Sequence, residues 1–248
     1  NTPEKNDALN VTNMKINYRL TSLTCACAGA ALLLTPSASA AAVVAEWDLS
    51  SSLGSQDEVT ASPPVATGLA ALPVSYGGGL TKELSRDGAF GVMNWTLNGY
   101  VQLGITVLPG YEATIDYLRA AGRSSNLGPG PMALYANGNP TLISWQQQVG
   151  GWIQSAEVPD SPAGIVITEN QQLVLQFRMT ADQTTIGTPG VPANETWRLY
   201  DYIDPDTGLA SNVQLVGSVR VVPEPSTYAL IAGLGLVAFG FVRRRFAK

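Results

Sequence analysis

The 248-residue chain contains no histidine, and its two cysteines, Cys25 and Cys27, sit close together near the amino end. The first absence removes the commonest general base and the commonest transition-metal ligand. The second leaves everything after residue 27 without a disulfide or a thiol nucleophile. Charge is scarce too, at 13% of residues. A chain poor in charge but rich in Gly, Pro, Thr and Val suits an exported all-β domain better than a helical cytosolic enzyme. Between residues 41 and 221, seven basic residues face sixteen acidic ones, a net charge of −9. With no basic stripe to displace counterions, nucleic acid is excluded as a partner.

What is present begins with an apolar segment near each end. Lys15 and Arg19 precede the run LTCACAGAALLL, and SASA follows it, with Ala38 and Ala40 as the small residues of an Ala-x-Ala step. Charge holds the amino end inside, a short apolar helix inserts, and small residues fit a peptidase, so the three parts make a secretory signal peptide. Residues 1–13 are read as an upstream extension and 14–40 as the signal peptide, starting at Met14 and cut after Ala40. The secretion translocon and signal peptidase are the partners this predicts.

Near the other end, Tyr228 to Val242 carries no charge and is followed by Arg243, Arg244 and Arg245. As a helix it rises roughly 22 Å, against about 30 Å of hydrocarbon. The arginines are expected to make up the difference by snorkelling and to stay on the cytoplasmic side. A transmembrane helix over 228–242 is therefore the expectation. VPEPST, a glycine-containing apolar helix and RRR, in that order, resemble the PEP-CTERM sorting signal. The resemblance covers residues 222–248. It implies that an exosortase recognises Pro223, Glu224 and Pro225 and cleaves nearby. It also implies a transient inner-membrane anchor, then delivery to the cell surface or the exopolysaccharide matrix.

Residues 41–221 form the remaining domain. Period-two alternation is widespread: Val101, Leu103, Ile105 and Val107 share one parity, as do Leu173, Leu175, Phe177 and Met179, and Val213, Leu215, Gly217 and Val219. AFGVMNWTL, EATIDYL, PMALYA, TLISWQ, GIVIT and ETWRLYDY add further strands, separated by turn clusters such as LPGY, NLGPGP, ANGNP and DPDTG. No segment carries a 3.6-residue stripe. The pattern predicts an all-β, antiparallel two-sheet sandwich of jelly-roll type, flanked by the signal helix and the C-terminal transmembrane helix. SSLGSQDEVTASPPVATGLAALPVSYGGG reads as surface loop or irregular edge. The stretch from Gly99 to Gly138 also resembles sandwich ectodomains that precede such tails.

Candidate chemistry in this domain is thin. A serine nucleophile would have only Lys82 as a lysine base, and no pair of carboxylates is marked by sequence as flanking a cleft. Asp204 and Asp206 in DYIDPDTGLA offer oxygen ligands to calcium, in a segment whose first reading is a hairpin turn with carboxylates capping amides. Among five tryptophans, Trp95 and Trp197 share parity with apolar neighbours and read as core. Trp152, with Tyr200 and Tyr202, is the candidate platform for stacking on sugar rings, ordinary packing being the alternative. The leading reading is an exported, non-enzymatic surface or matrix protein that binds exopolysaccharide or neighbouring surface proteins, with no cofactor apart from that calcium. The alternatives are a secreted carbohydrate-active enzyme using carboxylates, and an ice- or surface-adsorbing protein, for which only Thr184–Thr185 hints at a threonine ladder.

Overall fold

The computed structural model describes residues 41–50, 58–62, 65–83, 88–147, 153–157, 164–203, 210–223 and 225–246. The predicted signal peptide, with Ala38 and Ala40, lies outside them. The strands are β1 (Ala42–Trp47), β2 (Leu69–Gly77), β3 (Thr81–Lys82), β4 (Phe90–Met93) and β5 (Tyr100–Val107). They continue with β6 (Tyr111–Ser124), β7 (Pro131–Ala136), β8 (Asn139–Gln146), β9 (Ile153–Glu157) and β10 (Ile165–Ile167). The last are β11 (Gln172–Met179), β12 (Trp197–Tyr200), β13 (Tyr202–Ile203), β14 (Ala210–Ser211) and β15 (Val213–Val221), followed by helix α1 (Pro225–Phe246).

Alternation explains the layers. In β5, Val101, Leu103, Ile105 and Val107 are fully buried, and in β11 Leu173, Leu175, Phe177 and Met179 are buried, all as expected. Both strands lie in a five-stranded sheet of order β2-β5-β11-β7-β8. The second sheet has the order β1-β15-β6-β12-β4-β3, with β9 and β10 also on β6. Among the described residues every pairing is antiparallel. The inward rows of both sheets merge into one core, with Trp47, Phe90, Ile115, Leu118, Trp197 and Leu215 from the larger sheet. Each fully buried large apolar side chain contributes about 1.5–3 kcal/mol.

β6 organises the larger sheet because it is fourteen residues long. Its Tyr111–Arg119 stretch pairs with β15 and its Ala121–Ser124 stretch with β12. β9 pairs with Tyr117, Leu118, Ala121 and Gly122, overlapping both of those partners. A strand has only two hydrogen-bonding edges, so β15 and β12 must share one edge and β9 the other. The short β13–β14 hairpin therefore leaves the sheet where β12 stops and β15 starts.

Bulges break the simple alternation in several strands, β1, β2 and β15 among them. The segment read as loop or irregular edge supplies β2, an edge strand with a bulge between Leu72 and Ser75. Pro73 falls in that bulge, where a missing N–H costs the ladder least. β1 escapes the sequence pattern because a bulge between Val43 and Ala45 breaks its parity. β15 keeps the expected parity only to Leu215; a bulge before Gly217 also buries Val216, and Val219 reaches the core only in part. The β7–β8 hairpin closes as ANGNP predicts. Asn137 and Gly138 both have positive φ, at 50° and 79°, as a two-residue type I′ turn requires.

The C-terminal expectation needs correction. α1 forms and exceeds the predicted 228–242 at both ends, but among the described residues no helix is long and apolar enough to cross a membrane. The added residues are Pro-Ser-Thr at one end and the arginine cluster with Phe246 beyond it at the other, so the uncharged run stays near 22 Å. A C-terminal transmembrane helix and the transient inner-membrane anchor inferred from it are therefore withdrawn.

Candidate functional site

The sorting segment starts where β15 runs out. Val222 N–H donates to Gly110 O at 2.8 Å, the last backbone tie of this strand to the β5–β6 turn. Val221 and Val222 are exposed at 67% and 40%, and Pro223 is exposed, so the motif leaves the domain surface at once. Glu224 lies outside the described residues. Pro225 opens α1, a position where its fixed φ suits a helix and its missing N–H costs nothing. The large apolar side chains described in α1, among them Leu230, Leu234, Leu236, Phe239 and Phe241, are all exposed. Arg243 and Arg244 are exposed in its closing turns, where cations complement the helix dipole. Arg245 continues the helix, and its side chain lies outside the described residues.

The predicted stacking platform is not assembled. Tyr200 is only 8% exposed, and it clusters with the buried Ala89 and Ala121. Its hydroxyl faces Arg198 Nη1 at 3.5 Å, and Arg198 is itself paired with Glu83. That carboxylate, with the Tyr200 hydroxyl, raises the Arg198 pKa further, against the opposing effect of burial. Trp152 and the Tyr202 side chain lie outside the described residues. Trp95 and Trp197 are core, as read, and meet edge to face at 5.9 Å. Strand parity is not what buries Trp95, since β4 ends at Met93 and Leu97 is exposed.

Asp204 and Asp206 also lie outside the described residues. Among the described residues, no three His, Cys, Asp or Glu side chains are grouped to hold a metal ion. The adjoining Asp201 is perturbed: its pKa is pushed up to about 6, chiefly by burial and further by the nearby Asp48 charge. Its Oδ1 accepts Leu49 N–H at 3.4 Å, linking the exit of β1 to that of β12. Thr184 is buried against Thr188, with their hydroxyls 2.6 Å apart, and so presents no ladder to a surface.

A set of residues that sequence reading missed lies on the outer face of the five-stranded sheet. One row across the strands is Ser75, Gln102, Gln176 and Tyr135; the next is Gly77, Tyr100, Arg178 and Ala133. Gln102 Nε2 donates to Ser75 Oγ at 3.3 Å, and Gln176 Nε2 donates to Gln102 Oε1 at 2.9 Å. Gln176 Oε1 then accepts from Arg178 Nε and Nη2, at 3.1 and 2.5 Å. The Arg178 guanidinium carbon stands 5.4 Å from the Tyr100 ring centroid and 5.0 Å from that of Tyr135. A Cβ on Gly77 would overlap the Tyr100 ring, so the glycine lets that ring lie over its strand. The polar parity of QLGITV and QLVLQFRM was the only signal in sequence, and it does not say which residues become neighbours.

Residues 221–245 match the PEP-CTERM protein-sorting motif. Comparison with curated proteins and with solved structures finds no match. The chain thus carries the exosortase sorting signal of an exported protein, attached to a two-sheet antiparallel domain.

Proposed function

We propose that the chain is a surface or extracellular-matrix protein that an exosortase cleaves next to Pro223–Pro225. Its sandwich is the part that stays outside the cell and binds exopolysaccharide or neighbouring surface proteins. The observation that carries this reading is the sorting motif, which begins at the exposed end of β15. An enzyme can engage Pro223 there without unfolding a strand, because the last ladder pairing is Val221 with Tyr111. Residues 41–221 are the unit delivered outside, and 222–248 the segment that sorts it after export.

The test is the intact mass and location of the protein in a bacterial host with an exosortase and in the same host without one. The expected result is a species ending near the Pro-Glu-Pro motif, outside the cell, only when the exosortase is present. Replacing Pro223, Glu224 and Pro225 by alanine should abolish that species. An unchanged full-length mass in both hosts would refute the proposal.

A further inference from the structure

The outer face of the five-stranded sheet carries Arg178, held by amide and aromatic neighbours. Arg178 lies within a domain of net charge −9, yet no carboxylate pairs with it among the described residues. By contrast Arg198 is neutralised by Glu83 and Arg220 by Glu112. In place of a carboxylate, Arg178 has the Gln176 amide oxygen and two tyrosine rings. These contacts hold the guanidinium in position and leave its positive charge uncancelled. Its Nη1 is available for a further acceptor, and the fork geometry suits a carboxylate.

The surroundings narrow the ligand. Tyr100, Arg178 and Tyr135 stand on β5, β11 and β7, the tyrosines two strands apart and one row apart, with the Arg178 guanidinium between their rings at 5.4 and 5.0 Å. Tyr100, Tyr135 and Gln102 are partly exposed and offer aromatic surface and one amide to a sugar, while the buried Gln176 amide, bonded to Gln102 and Arg178, holds the arginine from beneath. An extended peptide is a poorer fit, since β5, β11 and β7 are each paired on both sides and present no free edge to add a strand to. We infer that Arg178, flanked by Tyr100 and Tyr135 and oriented by Gln176 and Gln102, binds a carboxylate-bearing polysaccharide, one containing uronic acid units. This rests on the matrix-binding reading above and gives it a site and a ligand class.

The full-length chain, titrated calorimetrically with oligomers of polygalacturonic acid, tests it, with neutral dextran oligomers and poly-glutamate as comparison ligands. The uronic acid oligomers should bind, at least tenfold more tightly than dextran, and binding should weaken as salt rises. Arg178→Gln should lower affinity about ten- to a hundredfold, the range for losing a charge-assisted hydrogen bond. Arg178→Lys should recover part of it, while Arg220→Gln, on the other sheet, should change nothing. Equal thermal midpoints show that a variant is folded, and Tyr135→Leu, expected to bind several-fold more weakly, gives a second route should Arg178→Gln not fold. Undiminished binding by folded Arg178→Gln would overturn the site and leave exopolysaccharide binding standing. Equal binding of dextran would overturn the carboxylate, and preference for poly-glutamate would assign the face to an acidic protein instead. Binding of no glycan would overturn both this inference and the polysaccharide part of the reading beneath it.

Discussion

Asp201 provides the sharpest test of how charge and burial are balanced in this domain. Its carboxyl lies half-buried past the end of β12 and titrates at about 6 in the folded chain, mainly through desolvation and then through Asp48. An aspartate in the unfolded chain titrates near 4. Between those two values the folded state holds the proton more tightly, so stability falls as pH rises through this window and is level above it. At about 1.36 kcal/mol per pH unit the full linkage is about 3 kcal/mol, and solvent screening at a half-exposed site reduces it to about 1–2 kcal/mol. Asp201→Asn removes the charge and keeps the oxygen that accepts Leu49 N–H. Urea denaturation of both proteins, followed by the fluorescence of buried Trp47 and Trp197, should be run from pH 4 to 8. The variant should be more stable by about 1–2 kcal/mol at pH 7.5, with the advantage shrinking towards zero at pH 4. A variant no more stable at pH 7.5, or a difference that ignores pH, would show that the buried carboxylate is not under this strain.

Two further substitutions probe the supports of the two sheets. Asn137→Ala should cost about 2–3 kcal/mol in urea denaturation, because Oδ1 accepts Val174 N–H at 2.7 Å and Nδ2 donates to Gln172 O at 3.0 Å. The residue also holds a φ of 50°, which alanine adopts reluctantly; an unchanged midpoint would mean that the turn closes without these bonds. Arg198→Met should cost about 2 kcal/mol by leaving Glu83, 14% exposed, unpaired. Adding Glu83→Gln should restore most of that loss, and a double variant as unstable as the single one would contradict the account.

The parts of this protein that were legible in sequence are those written in neighbouring residues. VPEPST and RRR are contiguous words, Asn137–Gly138 is a local turn, and the parity of β5 and β11 is a repeat of two. Each depends on backbone geometry within a few residues, and so is carried by any short window. β1 and β2 were harder, because a bulge shifts parity without leaving a mark that differs from loop. Tyr200 shows the limit from the other side. Its aromatic ring and strand position look like a platform, and its burial depends on β4 and β6 lying to either side of β12. The Arg178 face is tertiary in the strictest sense: Ser75, Tyr100, Tyr135 and Arg178 span more than a hundred positions of chain, and only the lateral order β2-β5-β11-β7 makes them neighbours. Composition and motif determined that this chain is addressed for export and made of strands. Strand order alone decided where its charge is left open, because hydrogen bonding between strands joins residues that no local pattern connects.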